Sequence, residues 1–183
     1  MIKHYLKVAF ILFAICAVAA ILLALVNEIT APRIAYNTEQ TTIATLEAVS
    51  GGYSQGERRE GNGSDISYVV PLYDDSGVLV GYILEIVTSG YGGEIVMAAS
   101  YLTDGSVLQS KVMSDNETPG LGKNAEESWY MDLFKGLGGE RPLPESKNDL
   151  ADPSVVSGAS VTFGGVSGAL RSGSAYVKSL GGV

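Results

Sequence analysis

Cysteine and histidine are almost missing from this 183-residue chain, which has one of each, Cys16 and His4. A single cysteine excludes a disulfide framework, and it excludes a cysteine-ligated iron–sulfur or structural zinc centre built by this chain alone. With the only histidine at the amino terminus, Ser-His-Asp and Cys-His catalysis are removed from everything that follows. No cluster of metal-ligand residues stands out either. Charge is also scarce, at 17% of residues against 46% hydrophobic, and it is unevenly placed. After Val26, ten basic residues face twenty acidic ones, a net charge of −10. Nucleic-acid binding rests on neutralising phosphates with Lys and Arg, so no nucleic-acid partner is expected. The 23 glycines follow no period, and Val, Ile, Leu and Tyr are plentiful, which excludes collagenous and disordered chains. The length suggests one domain of ordinary size.

What is present begins with an apolar run of 19 residues, Val8 to Val26, without a charged side chain. At about 1.5 Å per residue a helix of that length reaches roughly 28 Å, close to the hydrocarbon thickness of a bilayer. A cleaved signal peptide has a shorter apolar core that ends in small residues. Here Ala17, Ala19 and Ala20 lie mid-run, and Ile21–Val26 continue past them. The reading is a retained single-pass anchor in the cell (inner) membrane, with the lipid bilayer as its partner. Ile15 before Cys16 fits a lipoprotein signal poorly, so Cys16 is read as an apolar, lipid-facing or buried residue. Lys3 and Lys7 precede the run and Asn27 and Glu28 follow it, which keeps the amino terminus cytoplasmic. The acidic remainder then lies in the periplasm or outside the cell. This divides the chain into an anchor, residues 1–27, and an extracytoplasmic domain, residues 28–183.

In that domain, Ile34–Val49 has helical spacing in its second half, with Asn37 and Gln40 set as a capping box and Gly51-Gly52 as a stop. Residues 53–65 read as a loop. Ile66–Tyr73 and Val78–Val87 flank Asp74-Asp75-Ser76-Gly77, and Ile95–Leu102 and Val107–Met113 flank Thr103-Asp104-Gly105-Ser106, which predicts two hairpins. A short helix is expected over Ala125–Phe134, with an irregular, proline-punctuated stretch after it. Phe163, Val166, Leu170, Val177 and Leu180 then mark a terminal helix that four glycines weaken. The fold class is α+β: one N-terminal transmembrane helix, then a mainly antiparallel sheet domain with covering helices.

Three stretches are unusual for a plain core. Ser89-Gly90-Tyr91-Gly92-Gly93 separates two strands where a shorter turn would serve. Glu117-Thr118-Pro119-Gly120-Leu121-Gly122 places an apolar Leu121 at a loop tip, suited to a flat ligand. Ser157-Gly158-Ala159-Ser160-Val161-Thr162 offers three hydroxyls among small residues just before the terminal helix, whose first N–H groups suit a phosphate. Each stretch taken singly also reads as an ordinary turn or helix cap.

In this order, behind an anchor, the three stretches resemble the flavin-binding domain of the G subunit of Rnf electron-transport complexes. The related C subunit of the sodium-pumping NADH:quinone reductase shares that domain. The resemblance implies FMN attached through its phosphate to a hydroxyl of a Ser/Thr-Gly-Ala-Thr motif. Here the acceptor position is Ser160 in place of Thr, with Thr162 two residues on as a second candidate. Ser157, Gly158, Ala159, Glu117, Thr118, Pro119, Gly120, Leu121 and Tyr91 complete the implied cofactor site. The resemblance further implies an electron carrier in a multisubunit complex coupling ferredoxin and NAD to ion movement. A flavin transferase would mature it, and the chain would need no catalytic site of its own. Three alternatives stay open: a quinone-reductase C-type subunit, a stand-alone flavin-domain carrier, and an anchored binding module without redox function. A hydrolase is remote, because Ser160 has no histidine to activate it.

Overall fold

The computed structural model describes residues 2–181, with side chains from Tyr5 to Leu180; the side chains of Lys3 and His4 lie outside the described residues. The chain divides into two compact units, residues 1–42 and 43–183.

A single helix, α1, runs from Ile2 to Val49. Its apolar part is long enough to cross a membrane, and its large hydrophobic side chains are exposed. The expected restart at Asn37 does not occur. Asn37 and Gln40 lie inside α1, so they form no capping box. The reason is local: between Asn27 and Val49 there is no glycine and many good helix formers, among them Glu28, Ala31, Ala35, Gln40, Ala44 and Glu47. Pro32 is accommodated within the helix. The stop comes at Gly51 and Gly52, with φ of 65° and 87°, the left-handed geometry that ends helices on glycine.

The second unit is built on a six-stranded antiparallel sheet. Its long strands are β3 (Ile66–Tyr73), β4 (Leu79–Ser89), β5 (Glu94–Leu102) and β6 (Val107–Ser114), joined by the expected hairpins. Residues 53–65 are not wholly loop. Two short strands, β1 (Ser54–Gln55) and β2 (Arg59–Glu60), pair with β3. They satisfy backbone groups that would otherwise form an open edge, and two residues are too few to leave a sequence signal.

Side chains alternate across the sheet. Leu84, Ile86, Met97, Ala99 and Tyr101 face one side, where they join Phe134, Phe163, Val166 and Leu170 in the larger core. Tyr68, Val70, Leu72, Ile83 and Ala98 face the other, covered by Val49 and Leu46 at the end of α1. The expected helix over residues 125–134 is split into a 3-10 turn at Gly122–Glu126, α2 (Ser128–Met131) and a second turn at Asp132–Phe134.

The terminal helix α3 (Ser160–Gly181) is unbroken despite its glycines. Two of them explain why. A Cβ at Gly165 would overlap the Ser89 carbonyl, and one at Gly173 would overlap the Tyr101 hydroxyl. The helix therefore lies almost on the sheet backbone. Thr88 Oγ1 donates to the Gly165 carbonyl at 3.2 Å, and the Tyr101 hydroxyl donates to the Leu170 carbonyl at 3.2 Å. Tight packing compensates the lower helix propensity of glycine.

Candidate functional site

The β4–β5 loop, the loop after β6 and the start of α3 come from separate parts of the sequence. They meet at one buried side chain, Glu117, which is only 4% exposed. Its Oε1 accepts the Gly92 N–H at 2.9 Å, and its Oε2 accepts the Thr162 hydroxyl at 2.7 Å. Space for the carboxylate exists because Gly90 and Gly122 lack side chains: a Cβ at either would overlap a Glu117 oxygen. Upstream, Asp115 Oδ1 accepts the Glu117 N–H at 2.7 Å and stands 3.5 Å from Lys123 Nζ. Beneath the cluster, Tyr130 stands edge-on to Phe163, with ring centroids 6.3 Å apart. Burial, and secondarily the Glu117 carboxylate, push the Tyr130 phenol well above its usual range, so it stays protonated.

Thr162 is 1% exposed, with its hydroxyl committed to Glu117. Ser160 is the first residue of α3 and is exposed. Phe163 N–H donates to the Ala159 carbonyl at 2.9 Å, so the helical ladder starts there. In such a turn the first N–H groups have no intrahelical partner and are left for a ligand or water beside Ser160. Upstream, Asp152 caps the 3-10 turn Pro153–Val156 that leads into this stretch. Its carboxylate accepts Ser154 Oγ at 2.6 Å and Ser154 N–H at 2.9 Å, which hold the carboxyl below the usual range.

Leu121 is 41% exposed, and its Cδ2 lies 2.8 Å from where a Gly158 Cβ would stand. The apolar loop tip and the hydroxyl-bearing stretch are therefore neighbours. Thr118, Pro119 and Gly120 are exposed in the same loop, and the Thr118 carbonyl accepts both Leu121 N–H and Lys123 N–H at 3.1 Å. Ser157 and Gly158 are exposed and Ala159 is buried. The Tyr91 side chain is 76% exposed, and what its loop gives the cluster is the Gly92 N–H. Sequence reading missed the joining role of Glu117. The signal available was an acid at the head of a Thr-Pro-Gly-Leu-Gly loop, which identifies no partner.

Comparison with known proteins assigns both ends of the chain. Residues 1–49 match the RnfG N-terminal region, and residues 90–174 match the FMN-binding domain. The G subunit of the Na(+)-translocating ferredoxin:NAD(+) oxidoreductase complex of Acetobacterium woodii is 30% identical over 177 residues, covering 87% of this chain and 85% of that protein. The chain belongs to the Rnf G-subunit family. A second family member, the G subunit of the proton-translocating ferredoxin:NAD(+) oxidoreductase complex of Clostridium ljungdahlii, is 26% identical over 148 residues, with 80% of this chain and 77% of that protein covered. Among solved structures, Shewanella oneidensis NqrC aligns at 24% identity with a TM-score of 0.45, over 57% of this chain and about half, 53%, of its own. In this chain, Gly92, Glu117 and Thr162, where the three stretches meet, all fall within the FMN-binding match.

Proposed function

We infer that this chain is the membrane-anchored flavoprotein subunit of an Rnf-type ferredoxin:NAD+ oxidoreductase, and that it carries FMN esterified to Ser160. Family membership supports the complex, and the other Rnf subunits are its partners. The observation that carries the attachment site is the pairing of hydroxyls at the start of α3: Ser160 is exposed, whereas Thr162 is buried and occupied. The residues present fit the cofactor. First-turn amides of α3 suit its phosphate, the small Gly158 and Ala159 let it approach, and Leu121 beside Gly158 suits an apolar ring. When bound, the flavin supplies the redox chemistry, which this histidine-poor domain does not.

Attachment forms a bond between Ser160 Oγ and the flavin phosphorus. A phosphate monoester in water is not activated for this, so the donor is a flavin dinucleotide. Its phosphoanhydride bond breaks, the nucleotide monophosphate leaves, and the serine proton passes to a base. No electrons change hands. The family resemblance implies a flavin transferase acting in trans, and that enzyme would supply the base. Residues 1–27 form the anchor in the lipid bilayer and residues 28–183 the flavin domain. The amino terminus is cytoplasmic and the domain extracytoplasmic, in keeping with Lys7 before the apolar run and net acidity after it.

One experiment tests cofactor and orientation together: in-gel flavin fluorescence of the chain from spheroplasts treated with external protease. A fluorescent band that the protease removes is expected. No fluorescence before protease overturns esterification to Ser160, and a fluorescent band that survives protease overturns the orientation.

A further inference from the structure

The sequence marks Glu117 as one of several residues around a flavin, but its geometry is that of a tie between chain segments. Gly92 and Thr162 lie 25 and 45 positions from it, and each donates to a different carboxylate oxygen. With the residue 4% exposed and each oxygen already accepting a bond from another segment, the carboxylate is committed to the fold. Meanwhile the Thr162 hydroxyl, the rival of Ser160, is buried and held inward by its bond to Glu117. Two glycines are shaped around the carboxylate, so the arrangement is built into three segments at once.

We propose that Glu117 is a positioning residue that selects the flavin-acceptor hydroxyl: it ties Thr162 inward and the Gly92 loop against the first turn of α3, leaving Ser160 as the hydroxyl presented to the incoming phosphate. This rests on the flavin reading above and adds to it the reason for the acceptor's register. Losing the tie frees the first turn, so attachment slows and loses its selectivity. Because Glu117 acts through Thr162, removing either partner should have the same effect, and removing both should add little. Contacts within one hydrogen-bonded unit are non-additive in this way, whereas independent sites add.

The test follows the rate of flavin attachment to the full-length chain, produced with its transferase in native-type membranes, for wild type, Glu117→Gln, Glu117→Ala, Thr162→Val and the Glu117→Ala/Thr162→Val double variant. Thr162→Val is close in shape and lacks only the hydroxyl. It should attach flavin at Ser160 about tenfold more slowly, with Glu117→Ala similar and the double variant no worse than about tenfold. Thr162→Ser, which keeps the hydroxyl, should restore the wild-type rate. Glu117→Gln retains one acceptor and should fall between wild type and Glu117→Ala. It serves as the reference if Glu117→Ala does not fold, because it too should show no additivity with Thr162→Val. Peptide mapping of the Glu117 variants should find a fraction of flavin on Thr162, which a merely structural role would not produce. Multiplicative losses near a hundredfold, a wild-type rate in Thr162→Val, or complete loss of flavin from folded Thr162→Val would each overturn the proposal. These outcomes leave the flavin reading standing, since wild type still carries the cofactor. A wild type without flavin overturns both.

Discussion

Ser160 and Thr162 differ by one methyl group and two positions, and the fold gives them opposite environments. A helix turns about 100° per residue, so a two-residue step carries a side chain from the solvent face toward the core. Burial of Thr162 is tolerable because Glu117 accepts a hydrogen bond from its hydroxyl; an unpartnered hydroxyl there would cost about 1–3 kcal/mol. Leu121 presents the opposite case, an apolar side chain left partly in water beside Gly158. If it packs on the flavin ring, Leu121→Asp should shift the flavin absorption bands or midpoint potential while the flavin mass stays attached. An unchanged spectrum and potential would confine the loop to a structural role. The residues of this site were largely legible in the sequence, because glycine, proline and hydroxyl clusters mark backbone exposure. Their convergence was not. Hydrogen bonds spanning 25 and 45 positions leave no local pattern, so Glu117 read as one loop residue among six.

Among the elements, the four long strands and α3 were legible because period-2 and helical spacing report a buried face directly. Two expectations failed for different reasons. Asn37 looked like a cap although the glycine-free residues around it favour one unbroken helix, whereas Ala125–Phe134 looked like one helix because propensity is a weak prior that packing overrides around α2. The glycines of α3 show the same competition and allow it to be measured. Replacing a helical glycine by alanine gains up to about 1 kcal/mol in propensity. At Gly168 a Cβ meets nothing within 4 Å, so Gly168→Ala should raise the thermal midpoint. At Gly173 it meets the fully buried Tyr101 and Ile86, where overpacking costs about 1–3 kcal/mol. The tyrosine's bond to the Leu170 carbonyl is also disturbed. Overpacking wins there, and Gly173→Ala should lower the midpoint by several degrees. Thermal unfolding of the full chain in detergent reads both; a rise at Gly173 would mean that α3 does not lie on the sheet as described.

At the scale of the whole molecule, the chain combines an apolar helix long enough for a membrane with an acidic domain that presents the Ser160 hydroxyl to solvent at a helix N-terminus. A phosphodiester on Ser160 would add a negative charge to a region already at −10. The α3 dipole would offset that locally by about 0.3–1 kcal/mol, and a covalent bond would make retention independent of so small a term. The central claim, a flavin esterified to Ser160, is tested most directly by the intact mass and peptide map of the full-length chain purified from its native membrane, with Ser160→Ala and Ser160→Thr beside it. The account predicts wild type heavier by FMN less one water, with the addition on the peptide containing Ser160. Ser160→Ala should lose that mass, and Ser160→Thr, whose branched side chain holds χ1 more stiffly, should keep it. A wild-type chain at its unmodified mass, or an undiminished flavin mass in Ser160→Ala, would contradict it.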